Sequence, residues 1–183
     1  MKVPKINILD EKHRILHQKS EEVKFPLSDE DKKLITDMMD YLECSQIEEY
    51  SEKYNLRAGM GLAYVQLGKL KRIFVVVNAE DDGSFEKYVV INPKILSFSE
   101  EMIYVGEGEG CLSVNREVEG IVPRHARIKV KAYDMDGNEY TIRVREEVAI
   151  AFQHEIDHLD GILFVDRINK NNPFENIENM REI

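Results

Sequence analysis

His154 and His158 stand four residues apart and enclose Glu155 in the run Gln153-His154-Glu155-Ile156-Asp157-His158. On an α-helix this spacing stacks two side chains on one face, close enough for both imidazoles to hold one metal ion. The glutamate after the first histidine is the usual general base of a His-Glu-x-x-His site, where it takes a proton from water on the metal. A solvated helix face with two histidines near each other by coincidence would read the same way. A hydrolytic centre also needs a third protein ligand and an open coordination position.

The extended zinc-peptidase pattern would put a histidine at position 164, where the chain has Phe164. Glu175 and Glu178 lie downstream, where many such enzymes carry their third ligand, but they fall in a polar tail with no apolar stripe to fix them. Of the cysteines, Cys44 sits at the end of a helical apolar stripe and reads as a small core residue. Cys111 sits in Gly106-Glu107-Gly108-Glu109-Gly110-Cys111-Leu112-Ser113, where alternating glycines let an extended backbone pass close to a ligand or a helix. Cys111 is therefore the favoured third ligand, used as a thiolate rather than as half of a disulfide. Glycines recur in Gly59-Met60-Gly61, which permits close approach or a sharp turn; with no third glycine and no preceding strand it is not a dinucleotide-binding fingerprint.

These residues must be positioned by the rest of a 183-residue chain, which is expected to form a single catalytic domain over 1–183. Ser28 reads as the N-cap of a helix over residues 28–44, with Leu34, Ile35, Met38, Met39 and Leu42 on one stripe. A short helical turn is expected within residues 10–22 and another within 45–55. Arg72-Ile73-Phe74-Val75-Val76-Val77-Asn78 and Lys87-Tyr88-Val89-Val90-Ile91-Asn92 flank a turn at Asp81-Asp82-Gly83-Ser84, and a second hairpin turns at Asp136-Gly137-Asn138. Residues 119–123 read as a further short strand, and 162–165 as a strand or core-packed coil. The metal helix begins near Glu146 and stops at Gly161, and the tail from Asn169 reads as loosely ordered. The expected fold class is α+β, with small antiparallel or mixed sheets packed around a central helix carrying the histidines. The net charge of −10 argues against nucleic acid as the main partner. The start of the chain reads as neither a signal peptide nor a membrane anchor, so a cytoplasmic location is expected.

Three segments taken together, Gly59-Met60-Gly61-Leu62-Ala63-Tyr64-Val65-Gln66, Glu109-Gly110-Cys111-Leu112-Ser113 and Gln153-His154-Glu155-Ile156-Asp157-His158-Leu159, resemble the motifs of peptide deformylase, in that family's order. The resemblance runs to about residue 168 and is nearest to the variant common in Gram-positive bacteria. Tyr64 replaces the usual second alanine, adding volume that a packed core tolerates only if neighbours shrink. The resemblance implies hydrolytic removal of the N-formyl group from the initiator methionine of new polypeptides, releasing formate. It implies Cys111, His154 and His158 as metal ligands and Glu155 as general base. Gln66 (side-chain amide) and Leu112 (backbone N–H) would be the oxyanion donors. Glu109 would orient a ligand histidine or pair with Arg124. The segments around Gly59, Met60, Gly61 and Gly110 would bind the peptide as an added strand, and Met60, Ile150 and Ala151 would receive the methionine side chain. The implied cofactor is one divalent metal ion, Fe2+ in the cell, with Zn2+, Ni2+ or Co2+ accepted in a purified sample. The implied partners are N-formyl-methionyl nascent chains, with transient ribosome contact, no specific nucleic acid and no membrane.

Overall fold

The computed structural model describes residues 2–183. Its largest sheet is antiparallel, in the order β1-β2-β3-β6-β7, with β1 Gly61–Ala63, β2 Ile73–Ala79, β3 Phe85–Phe98, β6 Arg127–Tyr133 and β7 Glu139–Arg145. In β2, Ile73, Val75 and Val77 point to one face and Phe74 and Val76 to the other, and all five are buried. A strand covered on both sides needs apolar residues at every position, which is why this segment is a continuous β-branched and aromatic run.

Helix α1, Asp29–Ser45, covers the first face. Ser28 caps it by accepting the Asp31 N–H at 3.1 Å, and Asp29, Glu30 and Asp31 put negative charge at the positive end of its dipole. Ile35, Met38 and Leu42 are fully buried against β2, each worth roughly 1.5–3 kcal/mol in apolar burial. The short helix α2, Glu48–Tyr54, follows. Cys44 is buried in the core, and no disulfide joins it to Cys111.

Helix α3, Glu146–Leu159, leaves β7 without a loop and covers the opposite face. Ala149, Ala151, Phe152 and Leu159 pack there against Phe74, Val76, Val90, Val130 and Val144. Phe152 meets the rings of Phe74 and Tyr88 edge-on at 5.4 and 5.3 Å. Gly161 ends the helix with φ +75, and a Cβ there would lie 2.7 Å from the His17 backbone, so glycine is needed on both counts.

A smaller mixed sheet has the order β5-β4-β8, with β4 Met102–Tyr104, β5 Arg124–His125 and β8 Arg181–Glu182. Three expectations need correction. Residues 119–123 are not a strand: Ile121 and Val122 are buried by packing, the Ile121 N–H goes to Pro173, Pro123 has no N–H to give, and pairing starts only at Arg124. The tail is not loose, because β8 pairs parallel with β4 and Arg181 is tied to Glu101 and Glu146. Strand β3 does not stop at Asn92. A register shift between Ile91 and Lys94 absorbs Asn92 and Pro93, and pairing with β6 continues to Phe98.

Residues 162–165 form core-packed coil that enters a 3-10 turn, Phe164–Arg167. The turns expected early in the chain appear as a 3-10 turn at Arg14–His17 and as α2. Tyr64 is fully buried and turned toward α1, where its hydroxyl donates to the Asp31 carbonyl at 3.0 Å. Its volume is accommodated in the core beneath α1 and not in the groove beside the histidines.

Candidate active site

Three elements converge on the histidines: α3, the segment that turns into β1, and the glycine-rich loop after β4. Cys111 heads a tight turn closed by the Val114 N–H on its carbonyl at 3.0 Å. Arg57 pins the same turn, donating to the carbonyls of Cys111 and Val114 and to Asn115 Oδ1. The Ser113 N–H points at Cys111 Sγ from 3.4 Å.

His154 lies 2.9 Å through Nδ1 from Glu109 Oε1. Burial works against the charge on Glu109, but hydrogen bonds from His154 and Arg124 outweigh it and bring the carboxyl down to about 2. An ionised carboxylate only accepts, so a His154 proton sits on Nδ1; burial opposes charge on the ring, but Cys111 and Glu109 outweigh it and raise the His154 pKa, and a metal held at Nε2 would take the place of the second ring proton. Glu109 is itself clamped by Arg124 at 2.8 and 2.9 Å. Arg124 continues to Asp157 at 2.7 Å, and Asp157 accepts from Arg167.

His158 is fully buried, and burial holds its pKa well below the ordinary value, so the ring is neutral and fit to be a ligand. Its Nε2 lies 3.3 Å from Cys111 Sγ, and Nδ1 has no protein partner among the described residues. One donor atom from each of Cys111, His154 and His158 falls within 4.8 Å of the others. A tetrahedral ion with bonds of about 2.3 Å to sulfur and about 2.0–2.1 Å to nitrogen needs roughly 3.5 Å between them, so the set fits a divalent cation. Glu175 and Glu178 do not join the cluster among the described residues, and Glu175 is engaged by Asn169.

Glu155 follows His154 on α3 and lines the same cavity as that histidine. Its carboxylate lies against Gly61, where a Cβ would come within 2.9 Å of Glu155 Cδ, so the glycine is what admits the glutamate. One carboxylate oxygen has no partner among the described residues, and burial pushes the pKa up to about 7. Gly59 plays the same part for Leu112, whose Cδ1 would lie 2.7 Å from an added Cβ. The Gln66 amide is oriented unambiguously: Oε1 accepts the Ala63 N–H at 2.9 Å, which turns Nε2 toward Ser113 Oγ at 3.1 Å and Cys111 Sγ at 3.6 Å. The Leu112 N–H has no backbone acceptor among the described residues.

These groups open on a cavity of about 500 Å³ whose lining includes Gly59, Met60, Gly61, Gln66, Glu109, Gly110, Cys111, Leu112, Val105, Ile150, Ala151, His154 and Glu155. His158 and Arg124 stand behind this lining. Arg57, Ser113, Asp157 and Arg167 were not anticipated from sequence. Ser113 and Asp157 carried a signal, since they lie inside the cysteine and histidine motifs.

The sequence matches the profile of the polypeptide deformylase family over residues 5–174. The chain belongs to this family. It is 51% identical over 170 residues to a peptide deformylase of Ligilactobacillus salivarius, covering 91% of each chain, and 49% identical over 177 residues to one of Oceanobacillus iheyensis, covering 97% of each. A Met-Ala-Ser-bound crystal structure of class I type b peptide deformylase from Acinetobacter baumannii superposes with a TM-score of 0.71 at 29% identity, over 91% of this chain and all of that one. The activity of the chain is accordingly that of a deformylase, hydrolysis of the N-formyl group from the ends of new polypeptides. Deformylases use a divalent metal, and the Cys111, His154 and His158 cluster is of the kind that holds one.

Proposed function

We propose that residues 1–183 act as one catalytic domain in which Cys111, His154 and His158 hold the metal and Glu155, Gln66 and Leu112 carry out the deformylation of N-formyl-methionyl chains. The observation that carries the assignment is the buried Glu155 carboxylate, one oxygen of which has no partner among the described residues, next in sequence to one member of a cysteine–histidine–histidine donor set. When bound, a divalent cation supplies Lewis acidity for the formyl carbonyl and acidifies water enough for attack near neutral pH.

Glu155 accepts the proton of the attacking water and returns it to the departing amine nitrogen, a task suited to a carboxyl held near 7 by burial. Gln66 Nε2 and the Leu112 N–H donate to the oxygen as negative charge develops on it. Glu109, clamped by Arg124, fixes the tautomer and plane of His154.

The peptide lies as an added strand between the Gly59-Met60-Gly61 segment and the loop at Gly110, using main-chain bonds that ignore side-chain identity. This suits an enzyme that must process many proteins. The first side chain enters the apolar end of the cavity, against Ile150, Ala151, Met60 and Val105. The Met-Ala-Ser found in the Acinetobacter relative is the deformylated form of the substrate proposed for this chain.

We assign ferrous iron as the cellular metal, because a thiolate–diimidazole set accepts it along with zinc, nickel and cobalt. We place the enzyme in the cytoplasm, meeting its substrates at the ribosome by transient contact, without membrane or sequence-specific nucleic-acid binding. No helix of the described residues is long and apolar enough to cross a membrane. The test is anaerobic formate release from formyl-Met-Ala-Ser with added ferrous iron, comparing the parent with Glu155→Ala. Loss of turnover with metal retained supports the assignment, and turnover at the parent rate removes it.

A further inference from the structure

The tail read from sequence as loosely ordered is fastened at three points. Arg181–Glu182 runs parallel to β4, with Ile103 opposite Arg181 and Tyr104 opposite Glu182. The ladder continues one residue further. The Ile183 N–H donates to the Tyr104 carbonyl at 3.0 Å, and the Ile183 carbonyl accepts the Gly106 N–H at 3.3 Å. These two bonds bracket Val105, which lines the substrate cavity.

The side chains bind the same pieces together. Ile183 and Val105 pack against a small cluster of Ile103, Ala126 and Ile150, and Ile150 lines the cavity from the α3 side. Arg181 grips both carboxylate oxygens of Glu146, at 2.7 and 2.9 Å, and reaches Glu101 at 2.8 Å. Glu146 is the first residue of α3 and sits at φ +53, a left-handed conformation that a residue with a side chain adopts at a cost. Ile150 and Ala151 project from the next turn of that helix. At Gly106, an added Cβ would lie 2.7 Å from Glu182 Cδ, so the glycine lets the tail close over the strand. Among the described residues, no hydrogen bond runs from residues 181–183 to Cys111, His154, Glu155 or His158.

We propose that residues 181–183 set the width of the pocket for the substrate's first side chain, with Arg181 and Ile183 as positioning residues for methionine specificity. The proposal rests on the reading that Val105, Ile150 and Ala151 receive that side chain. The tail fixes the distance between Val105 on the β4 side and Ile150 on the α3 side, and that distance decides how well a long unbranched side chain fills the gap. Loosening it removes contacts made equally in the bound substrate and the transition state, which raises KM and leaves kcat alone. Cys111, His154, Glu155 and His158 take no hydrogen bond from residues 181–183 among the described residues, so the chemical step is expected to be unaffected.

The test compares kcat and KM for formyl-Met-Ala-Ser and formyl-Ala-Ala-Ser in the parent, Ile183→Ala, Arg181→Gln and a chain lacking residues 181–183, with Ile150→Ala as a direct change to the wall. Far-UV circular dichroism and melting confirm that each variant is folded, and the point variants carry the test if the truncated chain does not fold. A whole methylene in a hydrophobic pocket changes selectivity by about 10–200-fold, and a wall shifted indirectly, with no pocket atom removed, should change it by less than the low end of that range. The methionine-over-alanine ratio of kcat/KM is therefore expected to fall about three- to tenfold in Ile183→Ala and Arg181→Gln, through KM for the methionine substrate, with kcat within about twofold. If Ile150→Ala shifts the ratio and both tail variants leave it unchanged, the tail has no part in specificity and the pocket assignment stands. If Ile150→Ala also leaves it unchanged, the pocket assignment fails and this proposal with it. A fall in kcat shared equally by both substrates marks the tail as a plain stabiliser and overturns the proposal.

Discussion

Gly61→Ala should damage catalysis without replacing a single catalytic side chain. The new Cβ would lie 2.9 Å from both Cγ and Cδ of Glu155, well inside the roughly 3.5–4.0 Å at which carbon atoms rest against one another. The residue is in β1, paired with Val76, so its backbone has little freedom to retreat, and Glu155 must give way by on the order of 1 Å. A misplacement of that size costs about 100-fold in rate, or about 2.7 kcal/mol in the barrier. The assay is steady-state formate release from formyl-Met-Ala-Ser, with metal content and melting temperature measured on the same sample. The fall should appear in kcat with one equivalent of metal retained, because the three atoms nearest an added Cβ all belong to Glu155 and none to a metal ligand. The double variant Gly61→Ala/Glu155→Ala should be no slower than Glu155→Ala alone, since both changes act through one carboxylate. Unchanged kcat in Gly61→Ala, or additive losses in the double variant, would refute the reasoning.

Gln66→Ala should lower kcat by about 2.7–4 kcal/mol in barrier if Nε2 is an oxyanion donor, and an unchanged turnover number would remove it from that role. Tyr64→Phe removes the 3.0 Å hydrogen bond to the Asp31 carbonyl and should cost about 0.5–1.5 kcal/mol of stability by denaturant titration, with kcat/KM at the parent value. A large loss of activity at full stability would show that Tyr64 shapes the groove after all. Asp31 supplies a pH prediction. Burial opposes its charge, but Lys71 at 2.6 Å, with Ser28 and Tyr64, outweighs burial and holds the carboxyl below its usual 3.8. A depressed folded-state pKa contributes stability that is complete above the unfolded value and is lost as pH falls below about 3.8 toward the folded one. Acid unfolding followed by circular dichroism should therefore be less steep below that pH in Asp31→Asn; an identical profile would contradict the pairing.

What could be read from the sequence was what depends on neighbours along the chain. The stripe of α1 with its Ser28 cap, the two hairpins around Gly83 and Gly137, and the start and stop of α3 follow from local spacing and turn chemistry. What could not be read depends on distant partners. The tail looks loose because its anchors, β4 and Glu146, lie some 35 to 80 residues away and give no local signal. Asn92-Pro93 looks like the end of a strand, yet Asn92 accepts the Val23 N–H through its side chain and the ladder resumes beyond the irregularity. In the site, the spacing of His154 and His158 and the glycines before Cys111 were visible. Arg57, which pins the Cys111 turn through its backbone carbonyls, was not, because an arginine beside a glycine turn has no distinctive pattern. Tyr64 shows why a substitution inside a motif is a poor guide to its effect: the side chain can turn to the other side of the sheet and find a polar anchor there.

The central claim is that one sulfur and two imidazole nitrogens share a single ion. X-ray absorption at the metal edge, on protein loaded anaerobically with one divalent metal and compared with Cys111→Ser, tests it most directly. One sulfur scatterer at about 2.3 Å with two nitrogen-donor shells in the parent, and loss of the sulfur signal together with most of the metal in the variant, is the expected result. A parent spectrum without sulfur, or a Cys111→Ser protein that binds metal and releases formate as the parent does, would contradict it.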